Sequence, residues 1–219
     1  MIKLFKLFGV FLLLHYSILA QNLSGHITLS NQEFTNLDIV GLANFNNVTA
    51  NYLTIVGSLH FNKLNSKNLS IAGILNGNIG NFNKLIIKGT AKLKNITSDT
   101  LNISSRDNQA KISIIDSSIN QDATLESPSV NIINSVFNKL TIDAGIIYLT
   151  DIKATKLIVD SKKDTIVNIL EKIDNITHIN TITFTHKGLN FIKLPKKFKN
   201  NHHTIIKKII GAKIKYEED

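Results

Sequence analysis

Four stretches of this chain begin sixteen residues apart and share one pattern. They are Leu37-Asp38-Ile39-Val40-Gly41, Leu53-Thr54-Ile55-Val56-Gly57, Leu69-Ser70-Ile71-Ala72-Gly73 and Leu85-Ile86-Ile87-Lys88-Gly89. A period of about 16 is too short for the helical repeat families, which need two helices per unit, and suits one coil of a parallel β-helix. Leu-x-Ile has period two, so both side chains face the same side of a strand. The Gly that follows can take a positive φ at a corner without steric cost.

The remainder of each coil repeats as well. Ala43, Phe45 and Val48 follow Gly41; Leu59, Phe61 and Leu64 follow Gly57; Ala91, Leu93 and Ile96 follow Gly89. The coil thus reads as two alternating apolar runs separated by corners, then four mostly polar residues. One coil cannot bury such a face, but stacked coils can, with strands about 4.8 Å apart. The spacing predicts an all-β, single-stranded parallel β-helix (solenoid) with 16–17 residues per coil. The six-residue repeat of left-handed versions is missing, which favours the right-handed form.

The row continues through Leu101 and, after an insertion placed near Arg106 to Lys111, through Ala123, Leu140 and Leu157. The corner row then reads Gly41, Gly57, Gly73, Gly89, Ser105, Ser127, Ala144, Ser161, all small, which supports one register across the insertion. The coil from Leu69 to Lys84 is irregular. Gly77 and Gly80 stand where large apolar residues are expected, and Ile79 and Phe82 are expected to fill that space. Asn46, Asn47, Asn51, Asn62 and Asn65 fall near expected corners, where Asn tolerates left-handed backbone.

The flanks differ from the repeat. Residues 1–20 read as a signal peptide, with Lys3 and Lys6, an apolar run from Leu7 to Leu14 and a cleavage site after Ala20. Its removal lowers the formal charge from +9 by two, to +7. Residues 21–36, with Ile27-Thr28-Leu29, are the N-terminal cap candidate or a partial first coil. Residues 37–161 form the solenoid. Residues 162–219 are expected to hold terminal coils and a basic C-terminal cap. There Ile176 to Phe184 and Leu189 to Leu194 alternate as strands, while Val167 to Ile173 fits either helix or strand. The chain has no Cys, which excludes disulfides and thiol chemistry, and its hydrophobic content of 43% permits a real core.

The motifs Ala43-Asn44-Phe45-Asn46-Asn47-Val48-Thr49 and Leu53-Thr54-Ile55-Val56-Gly57 resemble the repeats of exported bacterial β-solenoid proteins of uncharacterised function. Phage-fibre and adhesin stalks share the style. The segment from Asn175-Ile176 through Ile182-Thr183-Phe184 to Ile209-Ile210-Gly211-Ala212-Lys213-Ile214 is similar to the closing segment of such proteins. Bactofilins resemble the chain in architecture only. The resemblance implies export and brings no active site.

Two side-chain groups are candidate sites. Glu126, Asp143 and Asp160 take the same place in successive coils, and stacked carboxylates about 5 Å apart would suit Ca²⁺ or a cationic ligand. Lys193, Lys196, Lys197, Lys199, Lys207 and Lys208, with Lys213 and Lys215, would form a basic face for anionic lipid, lipopolysaccharide or another anionic surface. Phe198 and Tyr216 are too few aromatics for a base-stacking platform, and export also argues against nucleic acid. The sequence holds no His-Glu-x-x-His, Gly-x-Ser-x-Gly or phosphate-loop motif. The chain's one Arg, Arg106, sits beside Asp107 in the insertion. These features point to a non-catalytic exported structural or surface-interaction solenoid without cofactor, contacting envelope glycan or an anionic surface, or associating end to end. The alternative is a carbohydrate-active β-helix enzyme using the Glu126/Asp143/Asp160 row.

Overall fold

The computed structural model describes residues 18–105, 107–160, 165–170, 178–184, 190–194, 205–207 and 213–216. The first strand, β1 (Ile18–Lys94), runs without a break through the 16-residue repeats. Among the described residues twelve shorter strands follow: β2 (Ile96–Ser104), β3 (Lys111–Ile115), β4 (Ser118–Glu126), β5 (Ser129–Ile133), β6 (Val136–Asp143), β7 (Ile146–Thr150), β8 (Lys153–Val159), β9 (Thr165–Leu170), β10 (His178–Phe184), β11 (Asn190–Leu194), β12 (Ile205–Lys207) and β13 (Lys213–Tyr216). All thirteen belong to one sheet, ordered β12-β10-β8-β6-β4-β2-β1-β3-β5-β7-β9-β11-β13. Even-numbered strands continue the face that begins with residues 80–88 of β1 and odd-numbered strands the face that begins with residues 91–94, and the pairs are parallel, as in β1 with β2 and β1 with β3. The fold is therefore the parallel β-solenoid that the spacing predicts. Leu85 pairs with Leu101, Leu101 with Ala123, Ala123 with Leu140 and Leu140 with Leu157, so the expected column is one register row.

The inward side chains fall in three pairs per coil rather than along two runs. In one coil they are Leu53 and Ile55, Leu59 and Phe61, Leu64 and Ser66, all buried. Strict alternation breaks between Ile55 and Leu59 at Gly57, between Phe61 and Leu64, and again between Ser66 and Leu69. The third break hides an inward row that lies inside the polar-looking part of the repeat: Phe34, Ala50, Ser66, Phe82 and Ser98. Buried hydroxyls there find partners. The Ser66 Oγ donates to the Asn68 carbonyl at 3.0 Å, and the Ser98 Oγ donates to that of Thr100 at 2.8 Å. In the Val48/Leu64 row, Ser117 and Ser135 replace apolar residues. Ser117 Oγ accepts the Ile96 N–H at 3.1 Å and donates to the Ile115 carbonyl at 2.7 Å. Ser135 Oγ accepts the Ser117 N–H at 3.1 Å. Each hydroxyl thereby satisfies a backbone group at a corner.

The small corner row has a steric cause. Gly41, Gly57, Gly73 and Gly89 have φ between 134° and 147°, and a Cβ on any of them would run into the carbonyl of the Gly sixteen residues earlier. The other positive-φ corner is held by Asn31, Asn47, Asn95, Asp116, Asn134 and Asp151. Of the asparagines expected there, only Asn47 has a positive φ. Asn46 and Asn62 instead lie on an outward strand face, and Asn51 and Asn65 keep negative φ. Side-chain hydrogen bonds tie this corner between coils: Asn47 Nδ2 donates to Asn31 Oδ1 and Asn134 Nδ2 donates to Asp116 Oδ1, both at 2.8 Å.

The irregular coil is filled differently from expectation. Phe82 is buried, but Ile79 is 42% exposed and contributes nothing to the gap. The Phe61 ring occupies the space at Gly77, and the Phe82 ring that at Gly80. The two rings meet edge to face with centroids 6.1 Å apart. Two phenylalanines thus compensate two glycines, which is why both glycines break the apolar pattern.

The insertion divides in two. Lys88 pairs with Ser104 and Ala91 with Ile112, so three residues of one coil answer to eight of the next, a surplus of five. One more residue sits in β4, where Ser98 pairs with Ile119 but Leu101 with Ala123. Asp107 organises the loop: its Oδ1 accepts the Gln109 N–H at 2.9 Å, and its carbonyl accepts that of Ala110 at 3.0 Å.

At the N-terminal side, residues 20–36 lie in β1, with Gly25 and Asn31 one period before Gly41 and Asn47. Leu23, Ile27 and Leu29 are partly buried against the core. The signal-peptide expectation falls on residues outside those described, apart from Ile18 to Ala20 at the start of β1. At the other end, Val167 to Leu170 is strand, in β9; residues 171–173 lie outside the described set.

Candidate functional site

The outward side chains of each run form columns along the solenoid axis. Most regular is the face between Gly57 and Asn47-type corners, where two outward residues flank each inward one: Asn44 and Asn46 about Phe45, His60 and Asn62 about Phe61, Asn76 and Asn78 about Gly77, Lys92 and Lys94 about Leu93. Between the two columns lies a groove of about 640 Å³ that runs from Thr28 and Ser30 to Lys92 and Lys94. Rungs at residues 28, 44, 60, 76 and 92 make it five coils long, or roughly 19 Å at about 4.8 Å per rung.

The columns are tied by side-chain hydrogen bonds between coils. Asn78 Nδ2 donates to Asn62 Oδ1 at 3.2 Å, and Asn62 Nδ2 donates to Asn46 Oδ1 at 3.4 Å. In the other column Asn76 Nδ2 lies 3.3 Å from His60 Nδ1. Asn44 Nδ2 lies 3.2 Å from His26 Nε2. The groove holds no carboxylate among its lining residues; its charges are Lys92 and Lys94. The bordering rings of Phe45 and Phe61 are turned into the core, at 3% and 5% exposed.

No family of known proteins matches this chain, and neither does any curated protein or solved structure. What the surface can do is therefore read from its own chemistry.

The acid row is in register. Glu126 pairs with Asp143, and Asp160 follows Val159, which pairs with Ile142; the Asp160 N–H donates to the Ile142 carbonyl at 2.8 Å. Lys88 and Ser104 precede Glu126 in the same column. Glu126 is exposed, while Asp143 and Asp160 are half-buried. Among the described residues no three His, Asp or Glu side chains gather closely enough to hold a metal ion. Stacked backbones do not by themselves converge carboxylates, because register fixes the Cα positions and leaves the side-chain directions open.

Of the basic residues, Lys196, Lys197, Lys199 and Lys208 lie outside the described residues. Lys193 is exposed on β11 and pairs with Lys215 of β13, where Lys213 also lies; Lys207 lies on β12. Since β12 is the last strand of the even-numbered series and β13 of the odd-numbered one, topology divides these lysines between two faces of the coil. Asp107 serves its own loop, and Arg106 lies outside the described residues.

The groove was the surface that residue-by-residue motif reading missed. Its signal is a polar-x-polar doublet recurring every sixteen residues, from Asn44 and Asn46 to Lys92 and Lys94. It becomes visible only when outward positions are aligned by coil instead of being read as solvated filler.

Proposed function

We propose that this protein is a non-catalytic exported solenoid that acts by presenting its outer columns to an extended or repetitive partner, a cell-envelope glycan or an anionic surface. The observation that carries this reading is the amide-lined face, where Asn side chains stand in register on three successive coils, at Asn44 and Asn46, at Asn62, and at Asn76 and Asn78. A surface of that kind matches a partner that also repeats, whereas catalysis needs a few unlike groups converging on one point. Export rests on the charged and apolar start of the sequence and on its resemblance to exported solenoid repeats. End-to-end association of copies is compatible with stacked coils, since an uncovered strand edge is a template for another strand.

The acid row supports a second reading, a carbohydrate-active enzyme, because Glu126 and Asp143 are register neighbours on one face. One experiment separates the two. The chain beginning at Gln21 is incubated with purified envelope polysaccharide, then sedimented, and the supernatant is assayed for new reducing or unsaturated sugar ends. The display reading expects co-sedimentation and no new ends. New ends that disappear in a Glu126→Gln, Asp143→Asn variant would establish the enzyme instead.

A further inference from the structure

We infer that the groove between the amide columns binds a single extended acidic polysaccharide chain lying parallel to the solenoid axis, with an acidic group at the Lys92 and Lys94 end. The inference rests on the proposed display function and names the ligand class of that face.

Hydrogen-bond capacity is the first argument. A carboxamide offers two N–H donors and two lone pairs. Asn62 gives one donor to Asn46 and one acceptor to Asn78, so it keeps one of each for a ligand. The ladder also holds each amide in place before any ligand arrives, which lowers the ordering cost of binding. Sugar hydroxyls both donate and accept, so a hydroxylated chain can use both remaining functions at the Asn62 rung.

Spacing is the second. Rungs recur about every 4.8 Å. Like-facing side chains of an extended peptide recur about every 6.6 Å, so a peptide along this axis would slip by roughly 2 Å per rung. In an extended, equatorially 1→4-linked chain successive pyranose units are flipped, so like-facing groups recur every second unit, a distance comparable to two rungs, and the chain stays in step with alternate rungs.

Charge and shape are the third. Two lysines at one end and no carboxylate among the lining residues favour an anion there. The preceding rungs carry hydroxyl, amide and imidazole groups, so a headgroup surface dense in phosphate would leave most of its charge unmet. With Phe45 and Phe61 facing the core, the groove presents no aromatic platform on which nucleobases could stack.

The test is calorimetric titration of the chain beginning at Gln21 with β-linked oligomannuronates of increasing length, and with neutral β-linked manno-oligosaccharides of the same backbone. Affinity for the acidic series is expected to rise with length and level off at about five units, one per rung. Asn62→Asp, which removes a donor and adds a charge, is expected to weaken binding about tenfold or more. Lys92→Glu with Lys94→Glu is expected to weaken the acidic series by a similar factor and to leave the neutral series unchanged. Lys88→Glu, on another face, is the control and should bind as the parent; circular dichroism and melting confirm that each variant folds. Equal binding of acidic and neutral series overturns the acidic assignment. If the parent binds but the groove variants bind as well as it does, the groove is overturned while the display function stands. If the parent binds no oligosaccharide and also fails to sediment with envelope polysaccharide, both fall.

Discussion

At the scale of single residues, the glycine corner shows how sequence identity is set by a neighbour one coil away. Gly57 has φ 134°, and its missing Cβ leaves room for the backbone of Gly41. Gly25 heads the same row with φ 97°, but a Cβ there would meet nothing within 4 Å. The two positions separate conformational strain from collision. Gly25→Ala carries only the strain of a positive φ, about 1 kcal/mol. Gly57→Ala must also push two strands apart and should lose about 3 kcal/mol or more. Urea unfolding of both variants checks this; equal losses would mean that the coils do not approach at the corner. The row of small residues was legible in the sequence because its cause repeats at a fixed spacing. The Phe61 and Phe82 compensation for Gly77 and Gly80 was only half legible. A sequence shows that space is vacant, but which ring turns into it depends on side-chain directions two runs apart.

At the scale of elements, register decides every inward and outward assignment. The paired strands across the insertion carry a surplus of five residues before β3 and a single extra residue in β4. Five is an odd number, and an odd shift in a strand turns its apolar face to solvent. Deleting residues 106–110 is therefore a sharp test of the register. On this topology the deletion returns the spacing from Ala91 to its partner to sixteen residues and that from Leu101 to its partner to seventeen. It costs the Ser127 Oγ bond to the Ala110 carbonyl and the buried Ala110 methyl, and it sets Ser105, with its Cβ, at the corner over Gly89, so thermal unfolding should stay cooperative with a loss of about 3 kcal/mol or more. A molten or insoluble product would show that the surplus lies elsewhere. The position of the loop was readable from spacing alone. The extra residue in β4 was not, because Asn120 and Gln121 look like ordinary polar strand positions. The third inward row was missed for a similar reason: Ser66 and Ser98 are polar, and only their hydroxyl bonds to Asn68 and Thr100 allow them inside.

At the scale of the whole molecule, stacking converts sequence periodicity into a ruler. Leu, Ile and Phe columns inside hold the coils together, and the same repeat distance is imposed on whatever stands outside. The acid row and the amide groove are both consequences of that ruler. They differ in what the columns contain: amides bond to one another along the axis, as Asn78, Asn62 and Asn46 do, whereas carboxylates have no proton with which to do so. The candidate site was thus present in the sequence as spacing and hidden by chemistry. Motif reading weights charged residues, and the groove is built mostly from neutral ones. The most direct measurement of the stack uses the absence of native cysteine. In an Asn62→Cys, Asn78→Cys variant the two residues are sixteen apart and stand on adjacent rungs, about 4.8 Å between backbones, within disulfide range. In an Asn46→Cys, Asn78→Cys variant they are two rungs apart, about 9.6 Å, and out of range. Under mild oxidation of the folded protein, mass spectrometry should find the first pair closed within the monomer and the second open. A second pair that closes as readily as the first would contradict the stacked solenoid.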